Sequence, residues 1–251
     1  METQNNLKEL PRFRLAGVPF HSLTMADTLD IFQSAIQTRE KIRHCVINAA
    51  KVVKAQTDKE LHQSIEESNL INVDGQAVVW AGRFNGVSIP ERVAGIDLMW
   101  ALLNISVKKN YRIYFLGATD EVLSLLRERL KREMPTLLIA GYHNGYFEKA
   151  EERVAEIQKS KPDILFLGMP TPKKENFIRE YSEILDAPVI IGVGGSFDVL
   201  AGKVKRAPQW MQQVGLEWFY RMAQEPRRLF KRYATTNAEF IRLALKERFS
   251  Q

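Results

Sequence analysis

The residues best suited to do chemistry are one carboxylate and a set of glycines, each placed just after a short apolar run. Asp74-Gly75 follows Leu70-Ile71-Asn72-Val73. A partly desolvated carboxylate in such a place, its pKa raised towards neutrality, can act as a general base. Taken alone, an Asp-Gly pair reads first as a turn. Asn48, Gly117-Ala118-Thr119, Gly168 and Gly192-Val193-Gly194-Gly195-Ser196 occupy equivalent places. Glycine lets backbone N–H groups approach an anion, and the helix that follows offers its positive N-terminus. Several such turns together point to a phosphate-bearing ligand. Arg92 lies in the Pro- and Gly-flanked loop 90–95, Asp97 can cap the helix after Gly95, and Asp198 can either cap or hold a ribose hydroxyl.

Other phosphate and hydrolase signatures are missing. No G-x-x-x-x-G-K-[ST] or G-x-S-x-G occurs. The run from Gly192 starts like a dinucleotide fingerprint but has Phe197 where the third glycine belongs. Neither that fingerprint nor a ribose-binding acid after the second strand is found, which disfavours a nicotinamide-dependent oxidoreductase. No two aspartates stand two apart, and His21, His44, His62, His143 and Cys45 have no metal-ligand spacing. The expected cofactor and metal content is none.

These residues need a scaffold that gathers strand ends on one rim. Apolar strands are expected at 15–20, 45–47, 70–73, 111–116, 137–140, 164–167 and 189–191. Helices are expected at 26–38, 52–67 with a break near Asp58, 76–84, 96–107, 121–134, 149–160 and 173–185, then from about 209 to the end with a break near Pro226. This alternation predicts an α/β fold: a Rossmann-like, mostly parallel sheet with helices on both faces, carrying a basic helical C-terminal appendage. Ligands of such sheets bind beyond the carboxyl ends of the strands. The domain boundary falls near residue 200, giving a catalytic domain over 1–202 and an appendage over 203–251.

The 251 residues are 45% apolar and 26% charged, ordinary for a globular protein. A single cysteine excludes an intramolecular disulfide framework and fits a reducing compartment. No apolar run is long enough to span a membrane, and Met1–Arg14 lacks a signal core, so a cytoplasmic location is expected. The net charge is +6, yet residues 203–251 alone carry +7, with eleven Lys/Arg against four Glu. That excess calls for an anionic partner at the C-terminal segment: nucleic acid, phospholipid headgroups or a pyrophosphate. Phe230, Tyr233, Ala234, Phe240, Ile241, Ala244 and Leu245 form a helical stripe there, with Arg228, Lys231, Arg232, Arg242 and Lys246 mainly off it. The aromatic run Trp218-Phe219-Tyr220 permits base stacking, but in its helical setting it reads as core, and no nucleic acid is expected as a partner.

The assembled motifs resemble the WecG/TagA/CpsF family of bacterial glycosyltransferases. The matching blocks are Asn48-Ala49-Ala50-Lys51-Val52-Val53, Asp74-Gly75, Glu91-Arg92-Val93-Ala94-Gly95-Ile96-Asp97-Leu98 and Tyr114-Phe115-Leu116-Gly117-Ala118. Gly145-Tyr146-Phe147, Gly168-Met169-Pro170 with Lys173-Lys174-Glu175, and Gly192 to Asp198 follow. Ala201-Gly202, Arg206-Ala207-Pro208, Gly215 to Arg221 and Glu225-Pro226-Arg227-Arg228 complete the set. The ordered series, rather than any one block, carries the likeness over nearly the whole chain.

The resemblance implies an inverting transferase that moves a sugar from a UDP-sugar to a polyprenyl-diphosphate-linked saccharide, working without a bound metal at the cytoplasmic membrane face. It implies Asp74 as the base, with Arg206 and Arg221 as catalytic partners and Arg227 beside them countering the charge of the departing UDP. The implied substrate contacts are Asn48, Gly75, Arg92, Gly95, Asp97, Gly117, Ala118, Thr119, Gly168, Pro170, Lys174, Glu175, Gly192, Gly194, Gly195, Ser196 and Asp198. It further implies an appendage that anchors the enzyme peripherally on an anionic membrane surface and helps close the site, and it leaves room for a homo-oligomer. Many members have Thr at Val46, Gln at Lys174 and Trp at Phe177, differences that bear on the donor sugar rather than on the reaction class.

Overall fold

The structure is a computed structural model that describes residues 10–224 and 226–250, with the side chains of 228, 229, 231, 232 and 250 outside it. It opens with a hairpin of β1 (Arg12–Leu15) and β2 (Val18–His21), turned through Ala16 and Gly17, both at positive φ. Two left-handed residues match the right-handed twist of the flanking strands. The stretch 15–20, read as a short strand or a hairpin arm, holds the end of β1, the turn and most of β2.

The α/β alternation follows. Helix α1 (Met25–Thr38) starts at a capping box formed by Thr24 and Asp27. Strand β3 (Ile42–Ile47) begins three residues earlier than its apolar core suggested, because Ile42 to His44 pair with the neighbouring strand. The helical stretch expected at 52–67 is α2 (Ala49–Ala55) and α3 (Lys59–Glu66), split where Asp58 caps the second. Next come β4 (Leu70–Val73), α4 (Gln76–Phe84), α5 (Gly95–Lys109), β5 (Arg112–Gly117), α6 (Asp120–Glu133) and β6 (Leu138–His143). Then α7 (Ala150–Ser160), β7 (Ile164–Gly168), α8 (Lys173–Tyr181), β8 (Val189–Gly192) and the short α9 (Ser196–Leu200) complete the alternation. Helix α9 was not anticipated, since its glycine-rich start masks a five-residue helix.

One six-stranded sheet, all parallel, runs in the order β4-β3-β8-β7-β5-β6. Helices α1, α5, α6 and α9 pack on one face, around Phe115, Phe166 and Phe197. The hairpin, α2, α3 and α4 cover β3 and β4 on the other face, and α7 and α8 cover β5, β7 and β8 there. Parallel register puts every carboxyl end on one rim. Gly117 pairs with Gly168 and Leu167 with Gly192, so three strands end level. Asp74 donates its N–H to Ile47 O at 2.8 Å, which sets it beside Asn48.

Beyond residue 203 the chain is helical: α10 (Gln209–Gln213), α11 (Glu217–Gln224) and α12 (Pro226–Ser250). The expected apolar stripe of α12 divides. Phe240 and Ala244 are buried in the core around α2 and α4, whereas Phe230, Ile241 and Leu245 are exposed. Asn85 Nδ2 donates to Ala244 O at 3.3 Å, and Ala16 N–H to Glu247 Oε2 at 2.6 Å, fixing this end of the helix. Arg242, expected off the stripe, is exposed and pairs with Glu239; Lys246 is also exposed, while the side chains of Arg228, Lys231 and Arg232 lie outside the described residues. Trp218 and Phe219 are 39% and 46% exposed and Tyr220 is only half-buried, so the run does not form core as expected. Among the described residues no helix is long and apolar enough to cross a membrane.

Candidate active site

Asp74 follows β4 at the rim, half-buried, with its Oδ2 accepting the Gly95 N–H at 3.3 Å. Gly95 opens α5, so the carboxylate also meets a helix N-terminus. Burial pushes the Asp74 carboxyl up to about 6, against the opposing pull of Arg92 and the Gly95 N–H; Glu217 adds to the rise and Lys51 opposes it. A carboxylate poised there is ionised at neutral pH and basic enough to take a proton from a hydroxyl.

An ion network ties this point to the appendage. Glu217, the first residue of α11, receives Arg92 Nη1 at 3.1 Å through Oε2 and Arg206 Nε at 3.2 Å through Oε1. Arg206 also grips Asp97 with both terminal nitrogens, at 2.5 and 2.7 Å. Such two-pronged contacts fix orientation as well as charge. One turn along α11, Arg221 reaches the β8 turn: a Cβ built on Gly195 would lie 3.4 Å from Arg221 Nη2 and 3.9 Å from an Asp198 carboxylate oxygen. The structure therefore brings Asp74, Arg92, Gly95, Asp97 and Arg206 together, and places Arg221, Gly195 and Asp198 as a second group. Arg227, exposed in the first turn of α12, is not part of that network. Glu217, the residue that joins it, was not nominated from the sequence, although an acid four residues before Arg221 on one helix face was the available signal.

The glycines do more packing than the sequence suggested. A Cβ at Gly117 would stand 2.5 Å from the Gly168 backbone, at Gly168 2.4 Å from the Phe197 ring, and at Gly192 2.9 Å from the Lys174 stem. Ala118 is left-handed and its N–H goes to Gly168 O at 3.0 Å. Ser196 donates its hydroxyl to Val193 O at 2.8 Å, so that group holds the β8 turn, where Gly194 takes a positive φ. Asn48 caps α2 and Thr119 caps α6 through their side-chain oxygens, and Gly75 packs against Asn48. Pro170 is exposed on the loop after β7.

Lys174 and Glu175 lie beneath the rim rather than on it. They are 6% and 4% exposed and form a cluster with Lys51, itself 4% exposed. Glu175 Oε1 takes Lys51 Nζ at 2.7 Å and Lys174 Nζ at 2.8 Å, and Thr171 donates to the same oxygen at 3.1 Å. Burial alone would raise the Glu175 carboxyl, but the two ammonium groups hold it down at about 2. Burial and the charge of Lys51 lower Lys174. Burial raises the Cys45 thiol, and the Lys174 stem of this cluster packs just under Gly192. Lys51 stands in the matching block Asn48 to Val53 but is given no role there, because nothing in its chain neighbours announces a buried partner. Among the described residues no group of His, Cys, Asp and Glu is arranged to hold a metal. His44 is buried, its Nε2 2.8 Å from Asn72 Oδ1, and burial lowers it to about 4.

Two clefts flank the rim. One, about 470 Å³, lies at the end of β6 beside His143, Tyr146 and Arg153. The other, about 440 Å³, opens between α5, α6 and the segment 199–206.

Residues 13–251 match the family model described as glycosyl transferase WecG/TagA/CpsF family. The chain is 36% identical over 180 residues to the N-acetylglucosaminyldiphosphoundecaprenol N-acetyl-beta-D-mannosaminyltransferase of Bacillus subtilis (strain 168), covering 72% of this chain and 70% of that protein. It is 31% identical over 218 residues to the protein of the same description from Staphylococcus aureus (strain MW2), covering 86% and 85%.

Proposed function

The chain belongs to the WecG/TagA/CpsF family of glycosyltransferases, and on that premise we propose that it moves an N-acetylmannosamine-type sugar from UDP to a polyprenyl-diphosphate-linked N-acetylglucosamine, inverting the anomeric carbon. The activity given in the names of its relatives supports the donor and acceptor classes. The observation that carries the reading is Asp74: a half-buried carboxylate at the end of a parallel strand, held by the Gly95 N–H and raised by burial to about 6.

In this mechanism the acceptor hydroxyl oxygen bonds to the anomeric carbon as that carbon's bond to the UDP phosphate oxygen breaks. The hydroxyl proton passes to Asp74, and UDP departs with one more negative charge. Arg221, beside the β8 turn, faces the diphosphate and counters its developing charge. Arg206 holds its place through Asp97 and Glu217 and meets the substrate at the junction of catalytic domain and appendage. The appendage from about residue 203 lies on the inner membrane face, with Trp210, Phe219, Phe230 and Phe249 exposed among its basic residues. The test is a panel of UDP-sugars offered with a polyprenyl-diphosphate-linked N-acetylglucosamine. Transfer from UDP-N-acetylmannosamine is expected to be fastest; no transfer from any UDP-sugar contradicts the reading.

A further inference from the structure

We infer that the cleft beside Arg206 seats the sugar-diphosphate head of the acceptor. The cleft holds about 440 Å³, within the range of small-ligand sites and ample for a monosaccharide with a phosphate. Its walls combine two aromatic rings, Trp100 of α5 and Tyr220 of α11, with three cations, Arg129, Lys205 and Arg206. The Arg129 guanidinium stands 5.1 Å from the centre of the Trp100 ring. It is held there by its bonds to Leu200 O at 2.8 Å and to Glu133 at 3.0 Å. An aromatic wall of this kind, Trp100 held in place by the Arg129 guanidinium over its ring and Tyr220 beside it, suits the apolar C–H side of a pyranose, and cations suit a diphosphate. Lys205 is exposed, free to swing towards a ligand, and its carbonyl accepts from Gln224 of α11 at 3.1 Å.

Position favours the acceptor over the donor. Arg206 is shared: one side lines the cleft, while its nitrogens reach Asp97 and Glu217, and Glu217 reaches Arg92 beside Asp74. The wall of the cleft also includes Ile96, next to the Gly95 whose N–H holds Asp74, so a sugar seated there lies close to the base. Tyr220 lines the cleft while its neighbours Trp218 and Phe219 are exposed. That arrangement leaves a greasy tail next to the surface proposed to meet the membrane.

The inference rests on the glycosyltransfer reading for the identity of the ligand, and its test does not require transfer. The probe is N-acetylglucosaminyl diphosphate bearing a short prenyl chain, with binding to the full chain followed by calorimetry alongside binding of UDP. Trp100→Ala and Lys205→Glu are each expected to weaken the probe about tenfold and to leave UDP affinity unchanged, with Trp100→Phe restoring most of the loss. The exposed Lys205 variant decides the matter if Trp100→Ala does not fold. Probe binding untouched by Lys205→Glu, loss of UDP binding in step with the probe, or failure of the wild type to bind the probe overturns the inference. Probe binding that depends on the cleft in a protein that transfers no sugar supports the cleft and counts against the proposed reaction.

Discussion

A single proton balance governs Asp74. Its folded pKa of about 6 lies above the ordinary aspartate value of 3.8, so the folded protein holds this proton more tightly than the unfolded chain. Through this group, stability decreases as pH rises between those two values, while the fraction of active base increases. The rate of transfer is therefore expected to climb through an apparent pKa near 6. Glu217 offsets Arg92 and pushes Asp74 upward, so Glu217→Gln should shift that acid limb to lower pH. A kcat/KM profile against pH for wild type and Glu217→Gln checks this; coincident acid limbs contradict it. At this scale the sequence was legible where one residue's neighbours in the chain define it. Asp74-Gly75 after an apolar strand is such a case. Glu217, Lys51 and the burial of Lys174 and Glu175 were not legible, because each depends on partners far along the chain.

The elements show what local chemistry can and cannot announce. Thr24, Asp58 and Thr119 cap α1, α3 and α6, since a short oxygen-bearing side chain satisfies free N–H groups at a helix N-terminus; from sequence Asp58 reads only as a break and Thr119 only as a ligand contact. The apolar runs gave the strands, and the alternation gave the parallel sheet. What stayed hidden was close packing between strand ends and helices. Gly168 is read from sequence as an anion-binding turn, yet the Phe197 ring of α9 occupies the space its side chain would need. Gly168→Ala is expected to lower stability by about 1–3 kcal/mol through that overlap. Denaturant unfolding measures it, and an unchanged midpoint would show that α9 yields without strain.

Across the whole molecule, the appendage is neither free nor wholly core. Phe240 and Ala244 bury the far end of α12 against the sheet's covering helices, and Glu217 and Arg221 dock α11 on the rim. The stripe in the sequence could not say which apolar residues the core would claim, because helical period gives a face and not its neighbour. The residues left outside the core form the surface for an anionic membrane in our account. Replacing Trp218 and Phe219 together with Ser is expected to cut binding to anionic liposomes about tenfold or more, with little change in Tm. Co-sedimentation with liposomes measures the loss; equal binding by the variant would place the membrane contact elsewhere.

The proposed reaction requires that Asp74 take the acceptor's proton at a rim that binds UDP. Asp74→Asn keeps the shape of the side chain and its capacity to accept from Gly95 N–H, but removes the base. Calorimetry with UDP and a transfer assay on the same preparation test it most directly. The expected result is UDP affinity close to wild type with transfer reduced about 10²–10⁴-fold. Full transfer by Asp74→Asn would contradict the account.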